Sequence, residues 1–348
     1  MGFGNGAFQA AKIAIDGVTI IENIVTGKIQ APGTAIPSAT NSYLSIPITN
    51  NQNVATPAPF QQLVQINLVN YSQLSGVASD LSNIYFSSDE AGQNKLYSWR
   101  ETPASLTSTQ TWWVLLPNGI PASGTITIYL QVSSSTALDG VYTGEAPQLS
   151  STYGQYDNGA KVFTNYWNFA GTSVPSSWTT SGTITINNGL SISGSSTPSQ
   201  IETTSTFGTS VLDWYGYATV PTGGGYWINM GWYSSTSTPQ GNGWFTYGGQ
   251  SDYGYGYVTS SDTITVIYTN VSAGQNYVFS IANDGTNAHY YLNYAVESTT
   301  YAIQDATNSI GFRNGSGSSS GGGSTVFVQW VRVRTYPPNG VMPSVSLL

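Results

Sequence analysis

Sixteen acidic side chains, eight Lys or Arg, one histidine and no cysteine in 348 residues bound the chemistry open to this chain. Hydrolysis of a glycosidic bond needs two carboxyl groups, roughly 5–5.5 Å apart for retention or 6.5–9.5 Å for inversion. In the second half the acids stand singly, at Asp157, Glu202, Asp213, Asp252, Asp262, Asp284, Glu297 and Asp305. Asp213 and Glu297 are the pair that folding could still bring together. His289, beside Tyr290 and Tyr291 in a strand-like run, reads as structural, because a triad base must be oriented by a carboxylate. No nucleophile elbow, phosphate loop or metalloprotease motif occurs. The expectation is that the chain is not an enzyme and that no residue is catalytic.

Metal chemistry is equally thin. Without cysteine there is no thiolate zinc site, disulfide or redox pair. Ca²⁺, which takes several carboxylate and carbonyl oxygens, is the one ion with candidate ligands: Asp80 with the adjacent pair Asp89-Glu90, and Asp284 in the run Ala-Asn-Asp-Gly-Thr-Asn. In the first a solvated loop is the preferred reading, and in the second an Asp-Gly hairpin turn. No resident cofactor or metal is expected.

Aromatic residues are the best lead. Thirteen fall between Trp214 and Tyr257, interleaved with Gly and polar residues. Sugar rings can lay their apolar faces on such rings while amides and hydroxyls bind the sugar OH groups, the mix common in ligand pockets. The competing reading is that alternate rings fill a core. Parity along a strand leaves several exposed, and the run 247–257 is the expected exposed set. Trp244, Tyr247, Tyr253, Tyr255 and Tyr257 are therefore the candidate carbohydrate-binding residues. Asn70, Asn270 and Asn314 open glycosylation sequons, Asn314 best placed of the three because it borders the flexible run 315–324.

The elements that must hold these residues read as strands. Period-two alternation runs through 43–48, 63–68, 84–86, 112–116 and 125–132. It resumes after a break near 150–158 through 183–186, 211–217, 226–233, 263–268, 277–281, 289–294, 310–312 and 326–334. The last of these is expected to lie centrally in its sheet, with 315–324 as a hairpin loop. Many short strands separated by Gly, Pro and Asn turns specify β-sandwiches or jelly rolls. Residues 1–40 differ. Phe8, Ile15, Val18, Ile21 and Val25 recur at helix-like spacing and predict a helix, while Asp16-Gly17 in their midst is a hairpin signal. Either way this short face must pack on the body or on a neighbouring subunit, so these five are the candidate assembly residues.

Composition excludes other classes. Charged residues are 7% of the chain, against about 25% in ordinary soluble domains, and the net charge is −8. Nucleic acid and polybasic membrane sites both need clustered cations. No apolar run approaches the ~18–20 residues of a membrane span. The profile is extracellular, yet no secretory signal is visible at the N-terminus. That combination suits a signal outside this sequence, or release with a particle.

The runs SYLSIPITNNQNVATPAPFQQLVQINLVNY, DLSNIYFSSDEAGQNKLYSWRE and WWVLLPNGIPASGTITIYL resemble an uncharacterised family of surface domains common in archaea. The run YGQYDNGAKVFTNYWNFAG and the closing VRVRTYPPNGVMPSVS resemble the second half of its longer members, a concanavalin- or laminin-G-like jelly roll. The resemblance spans roughly residues 41–346 and implies no reaction. Concanavalin-type hydrolases usually carry E-x-D-x-x-E on one strand, which is missing here. The expected organisation is an all-β chain: an anchor segment and linker over 1–40, a β-sandwich over 41–150 and a jelly-roll domain over 151–348. The expected function is that of a virion component of an archaeal virus (turret, spike or tail subunit), displayed on the virion surface or extracellularly. It would contact other copies or coat subunits and host surface glycans, with no nucleic acid and no membrane span. The alternatives are a cellular archaeal adhesin or filament subunit and, third, a divergent glycoside hydrolase.

Overall fold

A computed structural model of the chain describes residues 14–15, 18–19, 42–194, 198–222, 227–234, 240–259, 263–305, 307–315 and 323–347. It divides into two compact units, Met1–Asn41 and Ser42–Leu348. In the first, Ala14–Ile15 pairs antiparallel with Val18–Thr19. The helix expected there gives way to a hairpin at these residues, since a mid-helix Gly costs about 1 kcal/mol and Asp-Gly is a favoured two-residue hairpin connection. Phe8, Ile21 and Val25 lie outside the described residues, as do the side chains of Ile15 and Val18.

In the second unit the alternating runs become strands of stacked sheets. A five-stranded sheet places Ser42–Thr49 between Ser344–Val345 and Thr125–Val132, followed by Ile84–Ser87 and Lys95–Leu96. A four-stranded sheet orders Thr143–Glu145, Ser98–Arg100, Thr109–Leu116 and Phe60–Asn67. Leu44, Ile46 and Ile48 from one sheet meet Val64, Ile66 and Val114 from the other in one core. The C-terminal strand pairs with Ser42–Thr49, and Met342, Val345 and Leu347 pack on this same core. The chain therefore returns from the second sandwich to complete the first.

The larger sandwich stacks a nine-stranded sheet on a seven-stranded one. Thr325–Arg334 lies inside the nine-stranded sheet, as expected, between Leu190–Ser193 and Ser210–Ala218. Tyr277–Asn283 and Asn287–Leu292 extend that sheet beyond Ser210–Ala218. In the seven-stranded sheet Asn308–Asn314, Trp227–Ser234, Gly241–Tyr247, Asp252–Val258 and Ile264–Ser272 are consecutive neighbours. The run 315–324 does not close a hairpin, because the strands before and after it belong to different sheets.

Tyr/Gly alternation is resolved by the pleat. In Asp252–Val258, Tyr253 and Tyr255 point into the core, 0% and 1% exposed, while Gly254 and Gly256 take the opposite face. Gly311 shows why that face is glycine-rich: a Cβ there would lie 2.2 Å from the Tyr233 ring. The 247–257 run is thus largely a strand rather than an exposed loop. Trp244, also fully buried, sits in the same core against Phe279, Tyr255 and Tyr290. Trp244→Ala is expected to destabilise the fold by about 3–5 kcal/mol, the range for truncating a buried large aromatic, read as a lowered denaturant midpoint at unchanged slope.

Candidate functional site

The two sandwiches meet at a buried charge cluster. Trp99 and Trp113 come from the outer face of the four-stranded sheet, and Val278 and Trp330 from the outer face of the nine-stranded sheet. Between them lies Arg332, 0% exposed. Its Nε donates to Asp213 Oδ2 at 2.8 Å, its Nη1 to Glu101 Oε2 at 2.9 Å and its Nη2 to the Tyr294 hydroxyl at 2.7 Å. Arg334 Nε donates to the same Asp213 oxygen at 2.8 Å. The rings of Trp113, Phe163, Trp330 and Trp99 surround the Arg332 guanidinium at 4.5, 4.5, 4.6 and 5.3 Å. Burial pushes the Asp213 carboxyl up, but Arg334 and Arg332 outweigh it and hold it below the usual carboxylate range.

Asp213 is thereby committed to ion pairs, and Glu297 lies elsewhere. The two are separated by three strand spacings across one sheet, about 14 Å at ~4.8 Å each. They do not form the acid–base pair that glycoside hydrolysis needs. His289 does have a carboxylate partner, since its Nε2 lies 2.7 Å from Asp284 Oδ2. Asp284 also accepts from the Thr286 and Asn287 N–H groups, the hairpin-turn role expected for it. Asp89 caps the Gln93 and Asn94 N–H groups and Asp80 that of Ser82. Among the described residues no group of three or more acid, His or Cys side chains could hold a metal ion.

Of the expected carbohydrate-binding residues, Trp244, Tyr253 and Tyr255 are core residues without a face to offer a sugar. Tyr247 and Tyr257 are partly exposed, but Tyr247 packs on the outer cluster of Trp227, Phe245 and Val258, whereas Tyr257 meets Tyr301. The five do not converge on one surface. Asn314 is not an accessible glycosylation site. It is fully buried, its Nδ2 donating to the Ile192 and Ser324 carbonyls at 3.0 and 3.1 Å. Asn70 and Asn270 are exposed.

The partly exposed aromatics that do converge are Tyr166 and Trp167, on the short strand Asn165–Trp167 that pairs with the outer part of Thr325–Arg334. A groove of about 300 Å³ lies on one side, lined by Trp167, Phe207, Thr164, Asn165, Ser177 and Ser205 among others. A second groove of about 280 Å³ lies on the other, where Tyr166, Trp167, Asn168 and Asp157 contribute. Trp167 is held in place: its Nε1 donates to Ser177 Oγ at 2.9 Å, and its ring meets Trp178 edge-to-face at 5.2 Å. Asp157 accepts from Trp99 Nε1, Gly159 N–H, the Tyr166 hydroxyl and Asn168 Nδ2 at 2.9, 3.0, 2.8 and 2.7 Å. Burial nevertheless pushes its carboxyl up. Sequence reasoning missed this ridge because Tyr166 and Trp167 stand outside the dense aromatic run. The available signal was their place in the NYWNFAG stretch after the domain boundary.

No protein-family model matches the chain. Uncharacterized protein 562 of Sulfolobus islandicus rod-shaped virus 1 is 45% identical over 124 residues, 36% of this chain and 21% of that protein. The chain thus spans about a fifth of the length of the curated relative it matches. Among solved structures, it is similar to an endo-β-1,3-glucanase from Pyrococcus furiosus (TM-score 0.41, 13% identity, 50% of this chain and 94% of that one). It is also similar to the laminarinase catalytic domain of Thermotoga maritima (TM-score 0.40, 10% identity, 50% and 97%). A third likeness is the Crh5 transglycosylase (TM-score 0.39, 15% identity, 50% and 85%). The expectation that the chain is not an enzyme is corrected by these likenesses, since all three carry enzyme names. They carry over neither a reaction nor a substrate.

Asp213→Asn removes the carboxylate shared by two buried arginines and is expected to cost about 3–5 kcal/mol. Because the Asp213 pKa is depressed in the folded chain, its stabilisation is present above the unfolded carboxylate value. It is lost as pH falls through the folded value. Denaturation curves should show wild-type stability falling on acidification, and the loss should be smaller in Asp213→Asn. If the native source glycosylates its proteins, peptide mass spectrometry should find sugar at Asn70 or Asn270 and none at Asn314.

Proposed function

We propose that this chain is a surface component of a virus particle that infects archaea, and that its second sandwich recognises glycans at the Tyr166–Trp167 ridge. The observation that carries the first half is the 45% identity over 124 residues to a protein of an archaeal rod-shaped virus. The composition agrees with it: a chain with 7% charged residues presents hydroxyls and amides to solvent. In this reading residues 1–40 anchor the chain, 41–150 form the supporting sandwich, and 151–348 form the recognition module. Its partners are other copies of itself or other coat subunits, and glycans of the host surface.

The ridge supports the second half. A fixed, partly exposed indole flanked by hydroxyl and amide side chains is the arrangement in which an apolar sugar face stacks while its OH groups find partners. A second reading, hydrolysis of the bound glycan, has one observation in its favour. Asp157 is half-buried beside the groove and its carboxyl is pushed up by burial, the setting in which carboxyl groups serve as general acids.

Immunogold electron microscopy of virus-producing cultures, with antibody against residues 151–348, tests the display. Label on regular particles is the expected result. Label confined to cell envelopes or filaments would replace the virion by the adhesin reading. Reducing-end assays on glycans incubated with the chain separate recognition from hydrolysis: release that Asp157→Asn abolishes while glycan binding persists would establish the second reading.

A further inference from the structure

The two grooves beside Trp167 differ from most protein surfaces in one respect: neither offers a free charge. Among the described residues, the lining of the 300 Å³ groove contains only hydroxyl, amide, apolar and aromatic side chains. The 280 Å³ groove contains one charged side chain, Asp157. Each Asp157 oxygen already accepts two hydrogen bonds: Oδ1 from Trp99 and Gly159, Oδ2 from Tyr166 and Asn168. A carboxylate offers about four lone-pair sites, so none is left for a cationic ligand. An anionic ligand would meet Asp157 with no lining cation to balance it. Lys161 is exposed next to Ala160 but lines neither groove.

Size points the same way. Ligand sites typically span about 300–1,000 Å³, so each groove alone lies at or below the lower end of that range. The two share Ala160, Tyr166 and Trp167, so one ligand crossing the ridge would use both. Trp167 is locked by Ser177, Trp178 and Phe207. Little side-chain freedom remains to be lost on binding.

We infer that this pair of grooves is a two-subsite cleft for an uncharged oligosaccharide, which crosses Trp167 so that adjoining sugar rings occupy the Ser177–Ser205 side and the Asn168 side. The inference rests on the glycan-recognition reading and adds ligand charge, ligand length and the dividing residue. Asp157 acts here as a positioning residue that fixes Tyr166 and Asn168.

The test is isothermal titration of the full chain with three probe sets: neutral gluco- and manno-oligosaccharides of one to four rings, oligogalacturonates, and chitosan oligomers. The expected result is binding of the neutral set alone, with affinity rising from one ring to two or more. Trp167→Ala should weaken it about tenfold or more, equivalent to ~1.4 kcal/mol. Trp167 also packs on Trp178, so Ser205→Trp serves as the second variant. It fills one groove from an exposed position and should abolish the gain from the second ring while leaving the thermal midpoint unchanged. Binding of charged oligomers in preference would overturn the inference and leave glycan recognition standing. Neutral binding that Ser205→Trp leaves untouched would place the sugar elsewhere and also overturn it. Binding by none of the three sets would sink the glycan reading itself.

Discussion

The Arg332 guanidinium is the interaction on which the arrangement of the second unit depends. It bridges Glu101 of the first sandwich and Asp213 of the second, and it lies among four aromatic rings drawn from both. A buried charge is tolerable only when paired and hydrogen-bonded. Each of its three nitrogens has a partner, and Tyr294 donates its own hydroxyl proton onward to Glu101. Displacing one sandwich from the other would leave charges unpaired in an aromatic interior. The surfaces of the two sandwiches are therefore held in one register by electrostatics as well as by apolar contact, and the returning C-terminal strand adds ladder hydrogen bonds.

Part of the little charge the chain carries lies inside the fold. Of eight basic residues, Arg100, Arg332 and Arg334 are buried, and Arg100 pairs with the buried Glu145. With so few charged residues in all, and these three with Glu101, Glu145 and Asp213 inside the fold, the outer surface depends on Ser, Thr, Asn, Gln and Tyr. Such a surface has few means of steering charged partners, and a neutral, hydroxyl-rich ligand is the kind it can complement. The two grooves at Trp167 follow the same logic on a small scale. There the one carboxylate is saturated by four donors and works as a brace.

The aromatics show how parity can mislead. Tyr253 and Tyr255 alternate with glycine, and an alternating strand does present two faces. The glycine face, however, is the outer one, where Gly254 lies under the Val266 and Tyr268 side chains, and the tyrosines fill the sandwich. The Tyr253 hydroxyl is satisfied inside by the Ala218 backbone, and that of Tyr290, which packs on Tyr255, by the Gly256 carbonyl. A buried tyrosine with a partner costs little, so tyrosine content alone could not identify an exposed binding face. Asn314 fails as a sequon for a related reason: its amide ties the strand to the Ile192 and Ser324 carbonyls.

Period-two alternation and turn chemistry are local properties, and they suffice to read the all-β class, the positions of most strands, the central place of Thr325–Arg334 and the turn role of Asp284. Composition adds the scarcity of charge. Everything that depends on distant partners is legible only in the folded chain. Glu101 and Arg332 meet across a separation of 231 residues, and Trp167 finds Phe207 only when the sheets are stacked. Short-range periodicity states that a side chain has a face. It does not state which face the rest of the chain will cover, because that is settled by packing among residues far apart in sequence.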